Sequence, residues 1–340
     1  MVKLGDVINV HYGKALKADQ RVSNGSVHVF GSSGIVGNHD KTLCSYPTII
    51  IGRKGSVGAI TWAPDGGWII DTAYYVEIKD NNKLDLRYLF YILSGIDLTK
   101  KTITTSIPGL NRDDLYDTFI KLPPFEEQKR IVDLLDKAEG IRQKREQAIK
   151  LADDFLRATF ATMYGNPITN PKKWPVHLMG EIIEFKGGNQ PPKSDFIFEP
   201  KQGYIRLVQI RDFKSDKYAT YIPQEKAKRI FEVDDVMIAR YGPPVFQILR
   251  GLSGSYNVAL MKASPKENIR KGFIFYLLQL PEYHDVVVKN SERTAGQTGV
   301  NLELLNKFNV PLPPIYYQDE ILARLARIEK FKEKIEISLN

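Results

Sequence analysis

The residues whose types and spacing could do chemistry begin with Pro64-Asp65 and, after eleven intervening residues, Glu77-Ile78-Lys79. Two carboxylates that share a divalent metal ion, with a lysine beside the attacking water, make a hydrolytic centre for phosphodiesters. The local pattern argues against it. Asp65 stands in Pro-Asp-Gly-Gly, where a turn already favours Asp. Glu77 and Lys79 alternate with Val76 and Ile78, as on the solvent face of a strand. The five histidines (His11, His28, His39, His177, His284) lack metal-ligand spacing, Cys44 has no cysteine partner, and no phosphate-binding Gly-x-x-x-x-Gly-Lys-Ser/Thr loop is present. The sequence therefore predicts no catalytic residues and no metal or cofactor on this chain.

The second set is basic and planar. Arg53-Lys54 lie between Gly52 and Gly55, with Ser56 next, so backbone can approach a partner while two cations reach out. Arg240-Tyr241 hold the corresponding place further on. Arginine can pair with guanine through two bonds, and lysine or backbone amides suit phosphate. Two polar stretches, 102–110 and 293–300, each run into an asparagine that would cap a helix, placing Arg112, Arg293 and Gln297 beside free amides. Arg206, Gln209 and Arg211 sit near a strand end, and Asn189 and Gln190 in a Gly-Gly-Asn-Gln turn; Asn and Gln can read adenine. Any one of these reads equally well as a solvated turn, but their recurrence at matching places favours a nucleic-acid ligand. A net charge of +8 suits a polyanion.

The elements that must position these residues come in two copies. Leu122-Pro123-Pro124 opens a stretch that ends at Gly165, with Glu126 and Glu127 in its first turn and Pro167 beyond. Ile131, Leu135, Ala138, Ile149, Ala152 and Leu156 recur at four- and three-residue steps, the seam of a coiled coil about 58 Å long at roughly 1.5 Å per residue. Leu312-Pro313-Pro314 repeats the opening at a shift of 190 residues (312 − 122), and Ile321, Leu325, Ile328 and Ile335 continue a second seam. Arg142 and Lys332 would be polar seam positions. Other landmarks repeat as well. Leu4-Gly5-Asp6-Val7-Ile8 matches Met179-Gly180-Glu181-Ile182-Ile183, and Ile51-Gly52-Arg53 matches Ile238-Ala239-Arg240. Gly31-Ser32-Ser33-Gly34-Ile35-Val36-Gly37 reads as a mobile loop, and 164–175 as a linker. The domains expected are 1–123, a helix over 124–165, 166–313, and a helix over 314–340. At 340 residues each copy can hold its own core. One cysteine, no run long enough for a bilayer and no leader pattern fit a cytoplasmic protein.

Two domains each closed by Leu-Pro-Pro-x-x-x-Gln (Leu122 to Gln128, Leu312 to Gln318) and a long helix resemble the specificity (S) subunit of Type I restriction-modification systems. Gly31 to Gly37, Gly187 to Pro192 and Tyr164-Gly165-Asn166-Pro167 add to the likeness, which covers essentially the whole chain. It implies an α+β chain: two similar mixed target-recognition domains, joined and spaced by two long helices forming an antiparallel coiled coil. Each domain would read one half of a bipartite double-stranded DNA target, with half-sites one turn apart at about 34–36 Å. Methylation and cleavage would belong to partners: two methyltransferase (M) subunits using S-adenosylmethionine, and restriction (R) subunits using ATP and magnesium. The second helix is the shorter, so a shortened C-terminal arm is expected. The alternatives are a stand-alone PD-(D/E)xK-like nuclease on Asp65, Glu77 and Lys79, and a scaffold or decoy that binds methyltransferase subunits without reading DNA.

Overall fold

The computed structural model describes residues 1–101, 109–242, 245–291 and 299–337. The chain divides into two compact units, Met1–Gln143 and Lys144–Asn340. The division falls inside one continuous helix, Phe125–Tyr164, and not at either of its ends. The reason is packing. Ile131 and Val132 lie on the core of the first unit, whereas Leu156, Phe160 and Tyr164 are buried in the core of the second. Gly140 does not interrupt the helix.

Both units use the same frame. In the first, Ile8–Tyr12, Ala73–Ile78, Thr48–Gly52 and Ile60–Ala63 form an antiparallel sheet in that order. In the second the order is Ile183–Gly187, Leu260–Pro265, Val236–Ala239 and Ile248–Leu249. The β-branched run at 48–51 makes a strand buried on both faces. Period-two alternation then assigns the faces: Ile49 and Ile51 meet Leu89 and Leu93 of helix Leu86–Ser94, while Ile50 meets Phe30 and Ile69 of a smaller sheet. Val236 and Ile238 likewise join the helical core of the second unit, and Met237 and Ala239 the opposite one.

The smaller sheets differ between the copies. In the first unit, Val27–Gly31 and Gly34–His39 form a hairpin, and Val27–Gly31 pairs in parallel with Trp68–Ile69. The glycine-rich stretch expected to be a mobile loop is therefore mostly strand, with Ser32-Ser33 as its tip, because a two-residue turn suffices to reverse the chain. In the second unit Tyr204–Val208 pairs with Tyr221–Pro223 and, in parallel, with Gly254–Tyr256, but twelve residues (209–220) replace the two-residue tip. The expected linker at 164–175 is also folded. Asn166 Oδ1 accepts from Ile168 and Thr169, Asn170 Oδ1 accepts from Trp174, and the Trp174 ring packs on Tyr317.

The Leu-Pro-Pro-x-x-x-Gln motif has a physical meaning. Gln128 is fully buried; its Nε2 donates to the carbonyls of Lys83 (2.7 Å) and Pro123 (2.9 Å), and its Oε1 accepts from Asp85 N–H (2.9 Å). Gln318 repeats the set with Asn268 (2.9 Å), Pro313 (2.8 Å) and Arg270 (2.9 Å). Each amide thus locks the start of a long helix to the loop before the unit's packed helix. Gln318→Leu would orphan two carbonyls and one N–H, and an unfolding titration should register a loss of about 1–3 kcal/mol. Unchanged stability would remove the clamp from the account.

Within the second unit the C-terminal helix, Ile315–Ile337, runs antiparallel to residues 144–164. Tyr317 Oη donates to Met163 O (3.0 Å) at one end, and Lys332 Nζ meets Asp153 (2.8 Å) at the other. Ala152, Leu156, Ile321 and Leu325 are buried along this contact; Ile149, Ile328 and Ile335 are half-buried. Of the seam positions in the first unit, Ile131 is half-buried on its own domain, but Leu135 and Ala138 are exposed. Arg142 pairs with Glu139 of its own helix. Among the described residues no helix is long and apolar enough to cross a membrane.

Candidate nucleic-acid interface

In the first unit, turns from both sheets meet at one edge. The N–H groups of Arg53 and Lys54 donate to Thr72 O (2.9 and 3.1 Å), and Leu110 N–H donates to Arg53 O (2.9 Å). A Cβ on Gly52 would lie 2.0 Å from Ser56 O and 3.0 Å from Ser32 O, so only glycine lets the turn fold back and the hairpin tip approach it. The Arg53 guanidinium lies 5.0 Å from the Tyr12 ring centroid and 5.7 Å from that of Tyr74. Arg112 approaches Tyr12 from the adjoining helix start at 5.3 Å. Tyr12 itself is 47% exposed. Arginine on an aromatic face is attracted by the ring quadrupole and keeps its planar fork of donors in one orientation. Burial, then the neighbouring Tyr12, push the Tyr74 hydroxyl up to about 12 against the opposing Arg53 charge, so it stays protonated and donates to Leu110 O (3.0 Å). Lys54 and Ser56 are exposed beside this stack.

The second unit repeats the backbone and changes the side chains. Arg240 N–H donates to Ala259 O (2.8 Å) and Val300 N–H to Arg240 O (3.1 Å). Gly187 ends its strand where Tyr12 ends the first, and Arg240 Nη1 lies 3.3 Å from the position a Cβ would take there. Without a tyrosine below it, the guanidinium lies over the neighbouring Tyr241 ring at 4.9 Å. Its Nε is buried with no hydrogen-bond partner among the described residues. Backbone bonds continue the edge: Asn189 N–H donates to Tyr256 O (3.1 Å) and Asn257 N–H to Val208 O (3.2 Å). A Cβ on Gly188 would lie 2.0 Å from Asn257 O. Arg240, Asn189 and Gln209 are thereby gathered along one rim, with Gln190 exposed next to Asn189.

Several expected contacts are already engaged within the chain. Arg206 pairs with Asp216 (2.7 Å), Gln209 Nε2 reaches Thr220 Oγ1 (3.4 Å), and Arg211 lies over the Tyr218 ring at 5.4 Å. The expectation of free amides at the asparagine-capped helix starts needs correction. Asn111 Oδ1 accepts from Asp113 N–H (3.2 Å) and Asn301 Oδ1 from Leu304 N–H (3.1 Å). Both helices have only five residues, and Asp113, Asp114 and Glu303 in their first turns would repel a phosphate. Arg293 and Gln297 lie outside the described residues. The nuclease outline does not assemble either. Glu77 bonds His11 (2.9 Å), Lys79 Nζ donates to Gly5 O (2.5 Å), and Asp65 sits in the turn after Ile60–Ala63. Among the described residues, no group of three or more His, Cys, Asp or Glu could hold a metal ion.

Sequence reasoning missed Tyr12 as the platform under two arginines. The signal was present, since the shift of 175 (179 − 4) between the opening landmarks pairs Tyr12 with Gly187.

Comparison with known proteins agrees with this geometry. A model of the Type I restriction modification DNA specificity domain matches residues 1–151 and 171–340. The Type I restriction enzyme EcoBI specificity subunit of Escherichia coli is 22% identical over 335 aligned residues, covering 87% of this chain and 69% of its own. The MjaVIII specificity subunit of Methanocaldococcus jannaschii is 21% identical, covering 77% of this chain and 69% of its own. In fold, the chain is similar to the S subunit of a Type I system from M. genitalium, with a TM-score of 0.62, 16% identity and coverage of 99% and 91%. A second solved chain, from work on assembly and conformational transition of the type I system, has a TM-score of 0.54, 20% identity and the same coverage. Two copies of one frame, each presenting basic and planar donors at one rim, and two matches to one family model lead to the same place: the chain belongs to the Type I restriction-modification DNA specificity family, as a DNA-recognition subunit without catalysis of its own.

Proposed function

We propose that each unit reads one half of a bipartite, asymmetric DNA target, and that the chain directs a partner adenine methyltransferase and nuclease to it. The observation that carries this reading is the substitution at equivalent positions of one frame: Tyr12, Arg53 and Lys54 in the first unit stand where Gly187, Arg240 and Tyr241 stand in the second. Equal backbones with unlike donors will read unlike bases, because base-edge patterns in the major groove are distinguished by donor and acceptor placement. Methyltransferase subunits, two per chain, would supply S-adenosylmethionine chemistry, and restriction subunits ATP- and magnesium-dependent cleavage, in the cytoplasm. The test is co-purification with the candidate methyltransferase, then methylation mapping of DNA from cells carrying both. A two-part adenine-methylation motif with unlike halves is expected. No motif, or one continuous palindrome, would sink the proposal.

A further inference from the structure

The second unit carries an element that the hairpin of the first replaces with a two-residue tip. Between the landmark pairs Leu4/Met179 and Ile51/Ile238 the repeat shift grows from 175 to 187, so twelve extra residues lie there in the second copy. Ten of them are the difference between the 209–220 excursion and the Ser32-Ser33 tip (12 − 2). This excursion is built rather than loose. It contains two 3-10 turns, Ile210–Phe213 and Asp216–Tyr218. Asp212 is buried and accepts from Gln209 N–H (2.8 Å), and burial pushes its carboxyl up against the opposing pull of that N–H and of Arg206 and Arg211. Asp216 is held by Arg206, and Ser215 Oγ accepts from Lys217 N–H (3.2 Å). Asp212 is thus turned into the element and Asp216 is paired with the strand before it, while Arg211, Lys214, Lys217 and Tyr218 are exposed. Arg211 and Lys217 each lie 5.4 Å from the Tyr218 ring centroid, and none of the three cations forms an ion pair among the described residues. The excursion leaves its sheet next to Val208, whose carbonyl holds Asn257, on the rim that carries Asn189 and Arg240.

We propose that 209–220 is a phosphate clamp. Arg211, Lys214 and Lys217 grip the DNA backbone flanking the half-site read by the second unit. It adds affinity that does not depend on sequence, and at the equivalent hairpin the first unit has only the Ser32-Ser33 tip. A group of exposed cations whose neighbouring acids are buried (Asp212) or already paired (Asp216) releases condensed counterions when it meets the duplex, whereas base discrimination stays with the rim. The proposal rests on the DNA-reading function above, and its test separates the two. The full chain, in complex with its methyltransferase, is titrated onto a duplex by fluorescence anisotropy over a range of KCl concentrations. Arg211→Ala/Lys214→Ala/Lys217→Ala should flatten the slope of log affinity against log salt by about 2–3, at roughly 0.9 per phosphate contact, and leave the methylation motif unchanged. A flattening below about 1.5, or a motif altered at either half, overturns the clamp. Should the triple variant fail to fold, Lys214→Gln/Lys217→Gln, which keeps Arg211 on Tyr218, decides in its place, with about 1 as the dividing value. A wild-type complex that binds DNA without salt dependence overturns the DNA-reading function and the clamp together. A steep wild-type slope that the variant keeps overturns the clamp alone.

Discussion

Replacing Phe160 by alanine should lower the stability of the second unit by about 3–5 kcal/mol, the usual cost of removing a large buried aromatic. The side chain is 1% exposed, and its ring lies 5.2 Å from Phe273 and 5.5 Å from both Tyr164 and Tyr276. It belongs to the core that also contains Leu156 on the same helix and Ile321 and Leu325 on the C-terminal helix. One side chain thus joins the unit's sheet-facing helix to the antiparallel helix contact, and the surrounding rings cannot collapse into the space it leaves. Denaturant unfolding of the full chain measures the loss. Leu151→Ala serves as the comparison, since Leu151 is 68% exposed and its truncation should stay within about 0.5 kcal/mol. A Phe160 loss no larger than the Leu151 one would mean that the helix is not anchored in this core.

Arg53→Ala should relax the methylation motif in one half only, and Arg240→Ala in the other. A good two-bond contact to a base discriminates by about 1–3 kcal/mol, which is roughly 5- to 150-fold at the affected position. Arg53→Lys should lose most of the same discrimination, because an ammonium is a point charge without the planar fork that Tyr12 orients. Mapping the motif of each variant gives the result directly. Equal relaxation of both halves by either substitution would contradict two independent readers. The Arg53 effect should also weaken in Tyr12→Ala, since that variant removes the ring and leaves the charge.

Much of the architecture is legible in the sequence. The motif Leu-Pro-Pro-x-x-x-Gln recurs because each copy needs the same amide to satisfy the same three backbone groups, and that local demand is written in residue type and spacing. The buried strand at Thr48–Gly52 was readable from its β-branched run. Proline and glycine signals placed the long helix over 124–165, and the structure has it at Phe125–Tyr164. The recognition rim was legible only in part. Arg53 and Arg240 were found because glycines and repeat register mark them. Tyr12 and the approach of Ser32 to the Gly52 turn were not, because they reach the rim through sheet pairing with residues far away in the chain, and of the 209–220 excursion only Gln209 and Arg211 were.

The sequence alone determined the duplication, the long helices, the buried strand at Thr48–Gly52 and the basic character, since each depends on short-range periodicity or composition. Tertiary structure alone decided which face of each strand meets which core. It also decided which arginines are stacked outward and which are tied down by a neighbouring carboxylate. A charge run looks the same in sequence whether its cations are free or paired. Only the fold of the excursion brings Asp216 to Arg206, and only pairing with distant strands places Tyr12 beneath Arg53.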